Sequence, residues 1–204
     1  MKNPVRLAIA TLAIALTASA ALAAPVKFSL DRAHTEIGFD VRHFFSKVHG
    51  RFNDFDGTIV FDEKDPSKIS IEGSAKTTSI STDNERRDNH LRSADFFDAE
   101  KYPELTFKST KVTANGKNKY KIAGDLTLRG VTKPVVFDAE FLGMGSTGPQ
   151  GVKAGFTATT VIDRQDFGIN WNKTLDNGGL MLGDDVTLVL NIEGNEVKDE
   201  SASK

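Results

Sequence analysis

Along most of this chain apolar and polar residues alternate with a period of two, the mark of strands that turn one face away from water. From Ser67 to Ile80 the odd positions carry Ile69, Ile71, Gly73, Ala75, Thr77 and Ser79, against Ser70, Glu72, Ser74, Lys76 and Thr78 on the even ones. From Lys119 to Arg129 the even positions Tyr120, Ile122, Gly124, Leu126 and Leu128 form the apolar face, and from Val152 to Ile162 it is Val152, Ala154, Phe156, Ala158, Thr160 and Ile162. The same alternation predicts strands over Val26 to Asp31 and over Thr35 to Phe45, where Thr35, Ile37, Phe39, Val41, His43 and Phe45 share the inward parity. It also predicts Phe52 to Phe61 with Phe55, Gly57, Ile59 and Phe61 inside, Thr106 to Val112, Pro134 to Phe141 with Val135, Phe137, Ala139 and Phe141 inside, and Val186 to Ile192. Asp65-Pro66-Ser67, Asn115-Gly116 and Arg129-Gly130 are turn signals, and Gly143 to Gly151 reads as an exposed loop. About eight long strands joined mostly by short turns predict an all-β antiparallel sandwich or barrel, and closure would remove the exposed edges.

The inward faces are rich in phenylalanine, of which the chain has 14, yet they switch repeatedly to glycine, alanine and threonine. Protein interiors pack to crystal-like density. If these strands close on themselves, the band set by Gly73, Ala75, Gly124, Ala139, Ala154 and Ala158 leaves volume for something else. An elongated apolar ligand fits that requirement. Covering helices or loops, or large residues facing small ones across the barrel, would fill it as well. Two segments break the alternation. Thr82 with Glu85 three residues on has capping-box spacing and opens a polar helical stretch through Arg86, Arg87, Asp88, His90 and Leu91. Asp163 to Asp185 carries Phe167, Ile169, Trp171, Leu175 and Leu180 among glycines and asparagines. Both are long enough to cap the open ends of a barrel.

The ends of the chain place this domain. Lys2 and Arg6 precede an uncharged stretch that closes on Ala21-Leu22-Ala23, which reads as a secretory signal peptide over 1–23, cut after Ala23. Residues 24–197 then form one domain and 198–204 a polar, disordered tail. The expected location is the periplasm. With no cysteine, neither a disulfide nor a thioether-linked lipid is available. Against 28 acidic residues stand 26 basic ones, and loss of Lys2 and Arg6 makes the balance more acidic, which argues against nucleic acid as a partner.

Candidate chemistry is sparse. Four histidines, His34, His43, His49 and His90, lack the spacings of a metal site, so no metal and no cofactor is expected. His43 stands out because its parity puts a polar ring on an apolar face, where it needs a hydrogen-bond partner from the protein or from a ligand head group. Arg86, Arg87 and Arg92 with His90 would give the polar helix a cationic side able to meet a phosphate, although Glu85, Asp88 and Asp95 make a solvated helix face an equal reading. Asp54 and Asp56 fall on the outward parity. There is no Gly-x-Ser-x-Gly elbow, no phosphate-binding glycine loop and no nucleophilic cysteine, so nothing names an enzyme.

Seven short motifs occur in order: DRAHTEIGFDVRH at 31–43, VHGRFNDFDG at 48–57, RDNHLRSADFFD at 87–98, YP at 102–103, GDLTLRGVTK at 124–133, DRQDFG at 163–168 and LGDDV at 182–186. Together they resemble the YceI-like family of periplasmic polyisoprenoid-binding proteins over nearly the whole mature chain. The departure is Thr35, where serine is expected. The resemblance implies a lipocalin-like, eight-stranded antiparallel barrel with short helical caps, holding a long isoprenoid chain such as a quinone or prenyl phosphate tail. It implies no catalysis and, in many members, a homodimer. The expected function is thus a carrier or scavenger of isoprenoid lipid, with transient membrane contact. A fatty acid or fatty amide binder, or an enzyme using His43 as acid/base, are the alternatives. Strand parity and the caps assign the tail to Phe39, Val41, Phe55, Ile59, Ile71, Ala75, Leu126, Phe137, Ala154, Phe156, Ile169 and Trp171, and the head group to His43 and Arg87.

Overall fold

The alternating segments do close on themselves. The computed structural model describes residues 25–174 and 179–198; the stretch read as a signal peptide, Leu175 and the tail beyond Lys198 lie outside the described residues. Eleven strand segments form a single antiparallel sheet. They are β1 (Val26–Leu30), β2 (Glu36–His43), β3 (Ser46–Phe52), β4 (Phe55–Phe61), β5 (Ser70–Lys76), β6 (Ile80–Ser81), β7 (Glu104–Ala114), β8 (Lys119–Leu128), β9 (Val131–Ser146), β10 (Val152–Asp163) and β11 (Leu182–Glu196). The one α-helix among the described residues is α1, Glu85–Arg92.

Six of the segments are halves of three bent staves. β1 continues into β2, β3 into β4 and β5 into β6, because β2 pairs with β3 while β1 pairs with β4, and β4 with β5 while β3 pairs with β6. The long β11 holds β2 along its first half and β1 at its end, which closes an eight-stave up-and-down barrel. At the first bend Thr35 fastens the stave to β11: its hydroxyl donates to the Glu193 carbonyl at 3.1 Å and accepts from the Glu193 amide at 3.1 Å. Threonine serves this role as serine would. Lys153 crosses the same bend, donating to Asp31 at 2.6 Å and Glu193 at 2.5 Å.

Several sequence expectations change here. The segment Ser46–Phe52 is a strand that the alternation did not mark. Phe45, assigned to the inward face, instead sits at the tip of the β2–β3 hairpin and is 98 % exposed, because the chain reverses after His43 and the parity ends there. Thr77–Ser79 is a 3-10 turn, not strand. β9 runs to Ser146 and β10 starts at Val152, so the first four residues of the glycine-rich loop are strand and the connection is only 147–151. Asn115-Gly116 does join β7 to β8, within a four-residue turn closed by the Asn115 amide on the Lys119 carbonyl at 2.8 Å. Arg129-Gly130 is a two-residue turn with φ of 51° and 73°, the doubly positive geometry that suits the twist of a hairpin. Helix α1 is capped by Asn84, whose side chain accepts from the Arg87 amide at 3.0 Å. Thr82 gives up the capping role because its amide and hydroxyl both bind the buried Asp88 carboxylate.

Inside and outside are sharply different. On the outer wall opposite charges face each other across paired strands, as in Glu72 with Lys108 at 2.7 Å and Lys121 with Asp138 at 2.5 Å. A membrane-spanning barrel carries the reverse arrangement, apolar outside and polar within. This barrel is built to stand in water.

Candidate functional site

The interior has two unlike halves. At the end formed by the start of β1 and the β7–β8 turn, large side chains fill the barrel from wall to wall. Phe28, Phe61, Tyr120 and Phe141 are buried there with Ile59, Ile69, Val112 and Ala154. The Phe61 ring lies 4.5 Å from Phe141, 5.2 Å from Phe156 and 6.0 Å from Tyr120. Burial, reinforced by the Glu63 carboxylate, pushes the Tyr120 phenol above its ordinary value, so it stays a neutral part of this floor.

Above the floor the barrel is hollow. A cavity of about 340 Å³ runs up from Phe61 and Tyr120 to the opposite end, where it opens beside α1. Its walls are aliphatic and aromatic. Of the residues assigned to a ligand tail, Phe39, Val41, Ile59, Ile71, Ala75, Leu126, Phe137, Phe156, Ile169 and Trp171 line it, as do both head-group candidates, His43 and Arg87. Phe55 and Ala154 do not. Phe55 is packed in the wall with Phe39, Phe52, Ala75 and Ile80, while Ala154 pairs with Gly194, against which the base of the Phe28 side chain packs.

The small-residue band splits in the same way. A side chain added at Gly73 would meet only the Asp56 carbonyl, at 3.6 Å, so the glycine opens onto the hollow. At Gly124 an added carbon would fall 2.4 Å from the Phe107 ring, which already occupies that space. Gly50 is covered likewise by Phe39. Large-over-small packing thus accounts for part of the band, and an open channel for the rest.

The two segments outside the alternation cover the same end of the barrel, not opposite ends. Helix α1 and the turns after it close one side, and the described residues of 164–182 the other. They meet where Trp171 packs against Phe96 at 5.3 Å and edge-on to His90 at 4.9 Å. Arg164, which strand parity gave no reason to single out, is 3 % exposed and holds the second segment in place. Its guanidinium donates to the carbonyls of Gly183 at 2.9 Å, Ile169 at 2.6 Å and Trp171 at 3.0 Å, and to Asp184 at 2.8 Å. The sequence signal was indirect: an arginine between two acids, in a loop that must bury Phe167 and Ile169, has carbonyls and a carboxylate within reach. Arg129 ties the two segments together by donating to the carbonyl of Gly168 on one and to that of Ala94, at 2.8 Å, on the other.

The opening is rimmed by His43, Asn84, Arg86, Arg87, His90 and Met181. Arg87 anchors itself with Nε on the Thr82 hydroxyl at 2.7 Å and one Nη2 hydrogen on the Thr82 carbonyl at 2.9 Å, which leaves Nη1 beside the mouth. A half-used guanidinium held in this way suits an anionic or strongly polar group. Arg92 does not join it, since its donors go to Thr78, Ile80 and Asn89. His90 is bonded to Asp95 at 2.9 Å. His43 is half-buried at the top of the cavity with its ring edge-on to Phe44 at 4.6 Å, so it stands at the mouth and not deep in the barrel. On the outer wall Asp31, His34 and Glu193 approach as a metal site would, but the Lys153 ammonium sits among their oxygens. That hydrogen bond holds the Asp31 carboxyl far below the usual carboxylate range, against the opposing effect of burial.

A hollow meander barrel with both covers on one end matches known proteins. Residues 28–194 fit the profile of the YceI-like domain. The chain belongs to the YceI-like family. A UPF0312 protein of Serratia proteamaculans is 43 % identical over 187 residues, spanning 91 % of this chain and 94 % of that one. A UPF0312 protein of Pseudomonas aeruginosa is 42 % identical over 179 residues, 87 % of this chain and 90 % of that one. Among solved YceI-like structures, the YCEI protein of Campylobacter jejuni superposes with a TM-score of 0.66 at 36 % identity, over 83 % of this chain and 97 % of that one. Burkholderia cenocepacia BcnA gives 0.72 at 21 % identity over 80 % and 98 %, and a polyisoprenoid binding domain from Saccharophagus degradans 0.64 at 14 % over 84 % and 99 %. At such identities the last two bear on the fold, which is the same closed eight-stranded barrel.

Proposed function

We propose that this protein is a soluble periplasmic carrier or scavenger of a long isoprenoid lipid, with the tail in the barrel and the head group at the mouth beside Arg87 and His43. The apolar cavity of about 340 Å³, closed below by the aromatic floor and reached past a cationic rim, carries the reading. Its size falls within the range of small-ligand pockets, and its walls offer a tail nothing but apolar contact. The polyisoprenoid binding domain of Saccharophagus degradans lends support through the shared fold, and the signal-like start of the chain supports export.

Reversible transfer follows from the thermodynamics. Each CH₂ moved from water gains about 0.8 kcal/mol, but a lipid tail starts in a bilayer that already solvates it. A barrel that roughly equals the bilayer as a solvent can load and unload. The mouth argues for binding over catalysis, because among the described residues His90 is tied to Asp95 and His43 contacts a phenyl edge, with no nucleophile set beside either.

Extraction of the purified protein with organic solvent, followed by mass spectrometry, tests this directly. An isoprenoid in near-stoichiometric amount is expected. A fatty acid or amide in its place would reassign the cargo, and an empty barrel with turnover of any lipid, abolished by His43→Gln, would replace the carrier with an enzyme. Arg87→Ala should shift the competition between a prenyl phosphate and a quinone of equal tail length toward the quinone by about fivefold or more, the worth of one charge-assisted hydrogen bond. An unchanged ratio would remove Arg87 from the head-group site.

A further inference from the structure

Among the described residues the most exposed large apolar side chain stands at the rim of the cavity. Phe45 is 98 % exposed at the tip of the β2–β3 hairpin. Leu180, 43 % exposed, stands beside it on the second cover segment. The two are fixed to each other: the Phe44 amide donates to the Met181 carbonyl at 2.8 Å, and the Arg42 guanidinium donates to the carbonyls of Phe44 at 3.2 Å and Leu180 at 3.4 Å. Phe44 holds a φ of 52°, a conformation unfavourable to a bulky side chain and relaxed for glycine, so a phenylalanine pair is kept here against local preference. Met181 connects this tip to the ligand space, since it lines both the rim and the cavity.

Around the tip the charge is positive. Arg42, Lys47, Arg86 and Lys173 are all exposed, and Lys47 faces Arg42 across the hairpin. Among the described residues the side chains of Lys47, Arg86 and Lys173 make no hydrogen bond or ion pair. Of the nearby acids among the described residues, Asp40 is bonded to His49 at 3.0 Å, Asp95 to His90 and Asp83 to Arg51, while Glu85 stands beside Arg86 and offsets the ring in part.

We propose that this end of the barrel docks on an anionic phospholipid bilayer, with Phe45 and Leu180 entering the boundary between head groups and acyl chains and the four cations resting on lipid phosphates. A stable protein partner needs roughly 800 Å² of each surface, far more than one phenyl ring and one leucine on a convex tip provide. An aromatic residue flanked by lysine and arginine is instead the usual composition of a peripheral membrane contact. Docking in this pose would hold the mouth against the membrane, so a tail could pass between the two without crossing water. The inference takes from the carrier reading only that cargo uses this mouth.

Co-sedimentation with vesicles of phosphatidylcholine, with and without phosphatidylglycerol, tests it. The wild type should bind the phosphatidylglycerol vesicles and lose binding as salt is raised. Phe45→Ser should weaken that binding about tenfold or more, the effect of withdrawing one large apolar side chain. Lys47→Glu and Lys173→Glu should each weaken it about fivefold on anionic vesicles and little on neutral ones. Phe45 is exposed, so its replacement leaves the melting temperature and the extractable lipid unchanged. Wild-type protein that ignores anionic vesicles, or Phe45→Ser that binds as wild type, would overturn the proposal. So would a wild-type oligomer that Phe45→Ser dissociates, which would assign the tip to a second copy of this chain. The carrier reading fails on different evidence, an empty barrel after extraction, whatever the vesicles show.

Discussion

The two ends of this barrel are made of the same residue types and do opposite things. Both carry phenylalanine and β-branched residues on inward parity, yet one is a solid floor and the other a channel. The difference lies in what crosses the axis. At the floor Phe28, Phe61, Phe141 and Phe156 reach one another, and Gly194 gives way beneath the Phe28 Cβ, from which the ring leans inward. Higher up, Phe39 and Phe107 fold back over Gly50 and Gly124 on neighbouring strands and so leave the axis free. A glycine beneath a phenylalanine can therefore thicken a floor or clear a channel, depending on whether the ring leans inward or along the wall.

Phe61→Ala should divide the halves most clearly. Its ring is 3 % exposed and touches three other aromatic residues, so removal should destabilise the protein by about 3–5 kcal/mol. Thermal unfolding checks this. A melting temperature within a degree or so of wild type would mean that the floor is as loosely filled as the channel.

A matched pair of glycines sharpens the comparison. Gly124→Leu forces a side chain against the Phe107 ring and the Lys108 carbonyl, 2.4 and 2.5 Å away, and should lower stability by about 1–3 kcal/mol. Gly73→Leu enters open space, so it should leave the melting temperature nearly unchanged while displacing the extractable lipid. Equal destabilisation by both would mean there is no channel at Gly73.

A smaller effect should come from the wall, through pH. The Asp31 carboxyl is held below its ordinary value of 3.8 in the folded protein, chiefly by Lys153. A group with a lowered folded value stabilises the fold above its unfolded value, and that contribution fades as pH falls below about 4. Lys153→Met should reduce this dependence and leave the two carboxylates at the bend of the first stave without their ammonium, with His34 and the Ala33 amide as their remaining partners. The variant should be less stable at neutral pH, with the gap to wild type narrowing in acid. Parallel stability curves across that range, followed by denaturant titration, would disprove the role.

Much of this was legible in the sequence, and the failures have definite causes. Period-two alternation identified the staves from β7 to β11 and the inward face of β8 to β11, because a side chain's parity survives any bending of the sheet. It separated the strands at 31–35 without showing that they form one stave, and it ran through the breaks at 53–54 and 77–79, which arise from the long-range demand that eight strands close a ring. Phe45 was misplaced because alternation carries no mark of where a hairpin turns, and a phenylalanine pair is a poor turn signal. Phe55 and Ala154 have inward parity but do not reach the channel, since parity gives the face and not the height or what stands in front. Arg164 and Arg129 escaped notice because most of their partners are backbone carbonyls, which strand parity does not mark.

Arg129 has a further consequence. Its guanidinium is the common peg for Ala94, on the helical cover, and Gly168, on the loop that faces it. Its position is set in turn by a tight turn whose Gly130 lies against the Tyr102 ring. Two segments hung from one side chain do not open independently: lifting either strains or breaks the bonds that hold the other. The mouth should behave as one cooperative opening unit. In Arg129→Ala, amide hydrogen exchange should quicken together around Ala94 and around Gly168, while the amides of the aromatic floor keep their protection.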